Sequence, residues 1–166
     1  NNAIFPESED RKENNNLLNN ENTFLEQLFN SAPTANVISD SSGKISMINR
    51  EFTTLFGFTL GEIINKNIND LIVPDDLKAE SSTIDNLVSM NQKEVRQTIR
   101  KDKFSNKIHV SLIAVPIVIN NKVTAHLSIY RDNTSESKNS MLQEILFNIS
   151  NTGMKLNDIQ DIYPVI

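Results

Sequence analysis

From Gly43 to Asp76 the chain reads GKISMINREFTTLFGFTLGEIINKNINDLIVPDD. Lys44 to Ile48 is a β-prone run in which Ile45 and Met47 point to one side and Ser46 and Ile48 to the other. Asn49 ends the run, and its short side chain suits a helix N-cap. Arg50 to Phe56 then places Phe52, Leu55 and Phe56 three and four apart on one face, and Gly57 offers a left-handed exit. Thr59 with Glu62 has capping-box spacing and opens a second short helix whose buried side is Ile63 and Ile64. Asn65 to Asn67 interrupt it, and Ile68 to Ile72 offer a third apolar turn. Pro74, Asp75 and Asp76 stop that turn and prepare the N-terminus of a longer helix.

A strand, a capping Asn and several very short helices in this order resemble the PAS sensory domain. The likeness is carried by Ile45 to Phe56, by the turn Gly57-Phe58-Thr59-Leu60-Gly61-Glu62, and by the segment Asp70-Leu71-Ile72-Val73-Pro74-Asp75-Asp76; it extends over residues 23–134. The resemblance implies an α+β fold, a five-stranded antiparallel sheet with short helices on one face and flanking N- and C-terminal helices. It implies a sensory module of a larger bacterial signalling protein such as a sensor histidine kinase, and a ligand cavity walled by the long helix after Asp76.

Working outward, residues 1–22 are polar and Asn-rich. Leu17, Leu18, Leu25 and Leu28 recur at coiled-coil-like spacing, with Glu21 where a hydrophobe belongs, so the segment reads as a linker or a coiled-coil extension. A helix is expected from about Glu13 into Thr23–Asn30, where Phe24, Leu25, Leu28 and Phe29 form an apolar stripe. Ser31-Ala32-Pro33 ends it, Ala35 to Ser39 is a strand, and Asp40 to Gly43 turns into the Lys44 strand.

On the other side, Leu77 to Met90 is helical, with Leu77, Ile84, Leu87 and Val88 inward and Ser81 and Ser82 leaving space on the same side. Ser81 reads either as a pocket lining or as a hydroxyl bonded to its own backbone. Glu94 to Arg100 alternates as a strand. Ile108 to Ile119 and Lys122 to Tyr130 flank Asn120-Asn121, a pair suited to a two-residue hairpin turn. Regular pairing from that turn puts Ile108, Val110, Leu112 and Ala114 on the core face with Val123, Ala125, Leu127 and Ile129. The opposite face then carries His109, Ser111, Ile113, Val115, Ile117, Thr124, His126 and Tyr130. It is too apolar for open water, and the Phe24–Phe29 stripe of this chain or of a partner is its expected cover. Asp132-Asn133-Thr134 resembles the Asp-Ile-Thr with which PAS domains end, with Asn133 in place of the apolar residue. Residues 135–166 read as a signalling helix with the stripe Met141, Leu142, Ile145, Leu146 and Ile149, ended by Asn151-Thr152-Gly153. From Leu142 through Ile162 the wording resembles the start of a GAF-type module.

At 166 residues and 38% hydrophobic content the chain suits one core plus extensions. With no cysteine it has no disulfide, thiolate nucleophile or flavin adduct, which fits a reducing, cytoplasmic setting. No apolar run approaches membrane-spanning length, and a net charge of -5 argues against a nucleic-acid surface. The start at Asn1 and the end at Pro164-Val165-Ile166 suggest a piece of something longer. His109 and His126 are the two histidines, about 20 Å apart along the ladder, too far to share a metal. The helix Leu77–Met90 lacks the histidine that haem-binding relatives place there, and Tyr130 and Tyr163 alone supplement the phenylalanines for stacking, so neither haem nor flavin is expected. Asp75-Asp76 is explained by helix capping rather than acid–base work. Lys93, Arg96, Arg100, Lys101, Lys103 and Lys107 read as an edge strand kept soluble by charge.

The expectation is a non-catalytic sensory module without metal or cofactor, taking an uncharged or lipid-like ligand against Ser81, Ile84, Val88, Leu112 and Leu127, since no buried Arg or Lys is evident. The alternative is a ligand-free dimerisation and relay element. In both, a homodimer forms through Leu25, Phe29 and the outer sheet face.

Overall fold

The computed structural model describes residues 9–160, with side-chain surroundings over residues 20–148. A long helix α1 (Glu9–Ser31) leads into the hairpin β1 (Ala35–Asp40) and β2 (Ile45–Ile48). The short helices α2 (Arg50–Phe56), α3 (Leu60–Ile63) and α4 (Ile68–Ile72) follow, then a 3-10 turn (Asp75–Leu77) and α5 (Lys78–Ser89). Three strands, β3 (Glu94–Lys101), β4 (Lys107–Ile119) and β5 (Lys122–Asp132), precede the terminal helix α6 (Thr134–Gln160). All pairings are antiparallel, in the order β2-β1-β5-β4-β3.

The local chemistry of the short helices is as expected. Asn49 Oδ1 accepts from Phe52 N–H at 2.9 Å and so caps α2. It also accepts from Asn36 N–H at 2.8 Å, while Nδ2 donates to Thr34 O at 2.8 Å and Phe29 O at 3.2 Å. One side chain, 1% exposed, thus joins the end of α1, β1 and α2. Gly57 leaves α2 with φ 78, a left-handed conformation that any Cβ would strain. At α3, Glu62 Oε2 accepts from the Thr59 backbone N–H and hydroxyl, each at 2.9 Å. The Lys103 ammonium on Glu62, with these Thr59 bonds, holds its carboxyl down at about 2. Ile63 is buried as expected; Ile64 is not.

The core lies between these helices and one face of the sheet. Phe52 and Phe56 pack with centroids 4.8 Å apart, and Phe56 meets the edge of Tyr130 at 5.2 Å. Tyr130 in the core departs from the expected register. Asn120 and Asn121 do adopt left-handed φ of 50 and 60, and Ile119 faces Lys122 across a two-residue turn. A bulge opposite Ile117 and Val118 then adds one residue, Thr124, to β5, so Ile117 faces Ala125 and Leu112 faces Tyr130. Since side chains alternate, this slip exchanges the faces of β5 relative to β4. Val110, Leu112 and Ala114 remain inside as expected, but the β5 residues that share their face are His126, Ser128 and Tyr130, and Ala125, Leu127 and Ile129 turn outward.

α1 is helical from the first described residue, Glu9, so the helix expected from about Glu13 is present and runs unbroken through residue 22. Phe24, Leu25 and Leu28 are 59%, 59% and 52% exposed, so this stripe does not cover the outer sheet face within one chain. The stop expected at Asn151-Thr152-Gly153 is absent. α6 continues to Gln160, because a glycine in a long helix weakens it without ending it unless its φ turns positive. The side chains of Leu17, Leu18 and Ile149 and the whole of residues 161–166 lie outside the described set. Among the described residues no helix is long and apolar enough to cross a membrane.

Candidate functional site

α5 packs over the sheet through Ser81, Ile84 and Val88, which share one helical face and are buried together. Between them, Leu112 and Ala114 of β4, and His126 and Tyr130 of β5 lies an enclosed cavity of about 10 Å³, room for a single water. Ser81, Ile84, Val88 and Leu112 therefore converge on one site. Leu127 does not; the bulge at Thr124 of β5 places it on the outer face opposite Val115. Ser82, the other small residue of the expected gap, is exposed.

The cavity is polar. Ser81 Oγ donates to Asn69 Oδ1 at 2.7 Å, and Asn69 Nδ2 donates to Asp85 Oδ2 at 2.6 Å, a chain that ties α5 to α4. Ser81 is thus engaged across the fold rather than with its own helix. Burial pushes the Asp85 carboxyl up, against the bond from Asn69. Burial likewise lowers the His126 imidazole, against the attraction of Asp85 and Asp40. His126 Nε2 lies 3.4 Å from Ser89 Oγ. Neither carboxylate hydrogen-bonds the ring, so this contact lacks the oriented base that a nucleophile requires.

Arg100 corrects the expectation of a lipid-like pocket. Arg96, Thr98 and Arg100 of the edge strand β3 stand opposite Leu112, Val110 and Ile108 of the inner face, but of the two arginines Arg100 alone is buried, 1% exposed, whereas Arg96, Lys103 and Lys107 are solvated as expected. Its Nη1 donates to Thr98 Oγ1 at 2.9 Å and to Ile99 O at 2.8 Å. Nη2 lies 3.6 Å from Glu80 Oε1, which also accepts from Thr98 Oγ1 at 2.7 Å. The Nε–H is buried without a hydrogen-bond partner among the described residues. Burial raises the Tyr130 phenol, opposed first by the charge of Arg100. Arg100, His126 and Tyr130 were not foreseen as cavity residues, because the signal that would have placed the two β5 residues is the bulge.

On the reverse face of β3, Gln97 joins the start of α6. Asn133 Nδ2 donates to Gln97 Oε1 at 3.0 Å and to Ser111 Oγ at 2.5 Å, and Gln97 Nε2 donates to the same Oγ at 2.7 Å. Asp132 Oδ1 accepts from Thr134 N–H at 2.8 Å, and Thr134 Oγ1 accepts from His109 N–H at 3.2 Å. The polar substitution at Asn133 therefore anchors α6 to the sheet by hydrogen bonds. Thr98, which accepts from the cavity residue Arg100, and Gln97 at this anchor are consecutive.

A PAS-fold family profile matches residues 23–132. Similar solved structures include the PAS domain of an HTR-like protein from Haloarcula marismortui, 20% identical over 73% of this chain and 98% of that one, with a TM-score of 0.62. The PAS domain of a Colwellia psychrerythraea protein is 25% identical over 72% of this chain and 98% of that one, with a TM-score of 0.61. The LOV protein of Rhodobacter sphaeroides is 15% identical over 67% of each chain, with a TM-score of 0.59. No curated protein matches the sequence. With its sheet order, its succession of short helices and a matching profile over most of its length, the chain belongs to the PAS family of sensory and regulatory domains.

Proposed function

We propose that this PAS domain senses a small polar molecule taken into the cavity beneath α5 and passes the change along β3 to α6. The observation that carries the reading is the buried Arg100 lining an enclosed cavity with one N–H unpartnered. Buried polar groups are normally satisfied, and a donor left open beside a cavity suits a site that something else completes. In this reading the module works without a resident chromophore, since the helix after Asp76 carries no histidine for haem and the chain no cysteine for a flavin adduct. The small volume of the cavity, about 10 Å³, supports the second reading, a ligand-free relay whose core is simply full. In either case the effector is a separate domain, in our reading a sensor histidine kinase. The module pairs as a homodimer through Leu25, Phe29 and the outer sheet face.

Ser81→Val separates the two readings. Denaturing the purified wild-type domain should release a small molecule detectable by mass spectrometry. The valine, by filling the space beside Ile84 and Val88, should cut that release about tenfold while the overpacking costs about 1–2 kcal/mol of stability. If the wild type releases nothing and the variant differs only in stability, the relay reading replaces the sensor. Release of a haem or flavin would overturn the absence of a chromophore.

A further inference from the structure

We infer that the molecule taken by this cavity is a small carboxylate, held by the Nε–Nη2 edge of Arg100 and won in competition with Glu80. The inference rests on the sensor reading above and adds the ligand's chemical class.

A guanidinium has five N–H groups in a rigid plane. In Arg100 the Nη1 end is occupied by Thr98 Oγ1 and Ile99 O. What stays open is the other edge: Nε–H has no partner, and Nη2 has the Glu80 carboxylate at 3.6 Å, outside hydrogen-bond reach. The Tyr130 hydroxyl also contacts the Arg100 side chain, so Nε–H is the open donor among the described residues and Nη2 is the one to be won by exchange; the two N–H groups run parallel and match the two oxygens of one carboxylate, whereas an alcohol or amide oxygen satisfies one of them and brings no charge. The surroundings suit an anion. The Ser128 and Tyr130 hydroxyls and the His126 ring line the same cavity as potential donors. Asp85 is the one carboxyl in the lining, and its burial favours the neutral form, which weakens its repulsion of an incoming anion.

Entry has a structural consequence. A cavity of about 10 Å³ admits no carboxylate of two or more carbons while α5 stays in place, so α5 must move away from the sheet. Glu80 sits on α5 and Thr98 on β3, joined by their 2.7 Å hydrogen bond. A ligand that takes Nη2 removes the ion-pair contribution from this α5–β3 contact as it enters. Exchange of partners on Arg100 is thus coupled to the helix movement that makes room.

The test is the side-chain Nε–H signal of Arg100 in the ¹⁵N-labelled domain, titrated at constant ionic strength with acetate, propionate and succinate, and in parallel with acetamide, propionamide and succinamide. The expected result is a saturable downfield shift with at least one carboxylate and binding about tenfold weaker for its amide, because the paired bonds to a charged acceptor are lost. Glu80→Gln, which removes the competing charge, should tighten carboxylate binding by about threefold, as expected for losing one partly exposed ion pair. Arg100→Gln should abolish the response; if that variant is unfolded by circular dichroism, the Glu80→Gln titration decides alone. The carboxylate assignment is overturned if amides bind as well as acids, or if Glu80→Gln leaves affinity unchanged or weaker. It is overturned while the sensor reading survives if the acids leave the signal unmoved but the purified domain releases a neutral molecule. If no probe shifts the signal and nothing is released, both fail.

Discussion

Asn49→Ala should shift the urea midpoint of this domain down by about 1.5 M, measured by far-ultraviolet circular dichroism. The Asn49 side chain makes four hydrogen bonds and is almost fully buried. Alanine leaves two buried N–H groups, of Asn36 and Phe52, and two carbonyls without it. Each buried group left unpaired costs about 1–3 kcal/mol, and partial access of water to the two carbonyls brings the sum to about 3 kcal/mol. With a urea slope of about 2 kcal/mol/M this gives the stated shift. Asn49→Asp keeps the two acceptor bonds and should recover part of the loss. A shift below about 0.3 M in Asn49→Ala would show that α1, β1 and α2 are held together by other contacts.

The second large effect concerns assembly. In light scattering at high micromolar concentration the wild-type domain should have the mass of a dimer, and Leu25→Asp with Phe29→Asp that of a folded monomer. The bulge strengthens the case for a covered outer face. β5 turns Ala125, Leu127 and Ile129 outward beside Ile113, Val115 and Ile117, while the more polar His126, Ser128 and Tyr130 go inside. With the exposed stripes Phe24, Leu25 and Leu28 on α1 and Met141, Leu142 and Ile145 on α6, this is more apolar surface than a lone domain leaves in water. Unpaired carboxylates at such an interface cost several kcal/mol, on the order of a thousandfold or more in Kd when each protomer brings two. A monomeric wild type, or a double variant that still dimerises, contradicts the proposal.

What could be read from the chain was what depends on near neighbours. Asn49, Gly57, the Thr59–Glu62 pair and Asn120-Asn121 act within a few residues of themselves, so their types and spacings suffice to locate two helices and a hairpin turn. The helical wall of the cavity was legible for the same reason, since Ser81, Ile84 and Val88 lie at helical spacing. The sheet wall was not. Whether Leu127 or His126 and Tyr130 face inward depends on one extra residue in β5, Thr124 opposite Ile117 and Val118, and the alternation of β5 gives no sign of it because both of its faces carry large side chains. Arg100 was hidden in a run of charges that are otherwise exposed or half-buried; Arg96 shares its register on β3 and stays exposed, so it is the contact with Glu80 and Thr98 that separates Arg100 from the rest.

The central claim is that the cavity beneath α5 holds a ligand and communicates with the start of α6. Its most direct test compares amide ¹H–¹⁵N spectra of the domain as purified with those of the same sample after denaturation, dialysis and refolding, which strips any bound small molecule. Differences are expected at Ser81 to Asp85, at Thr98 to Arg100, and at Asn133 and Thr134, with β2 and α3 unmoved. Superimposable spectra, or differences that spare both Arg100 and Asn133, would contradict it.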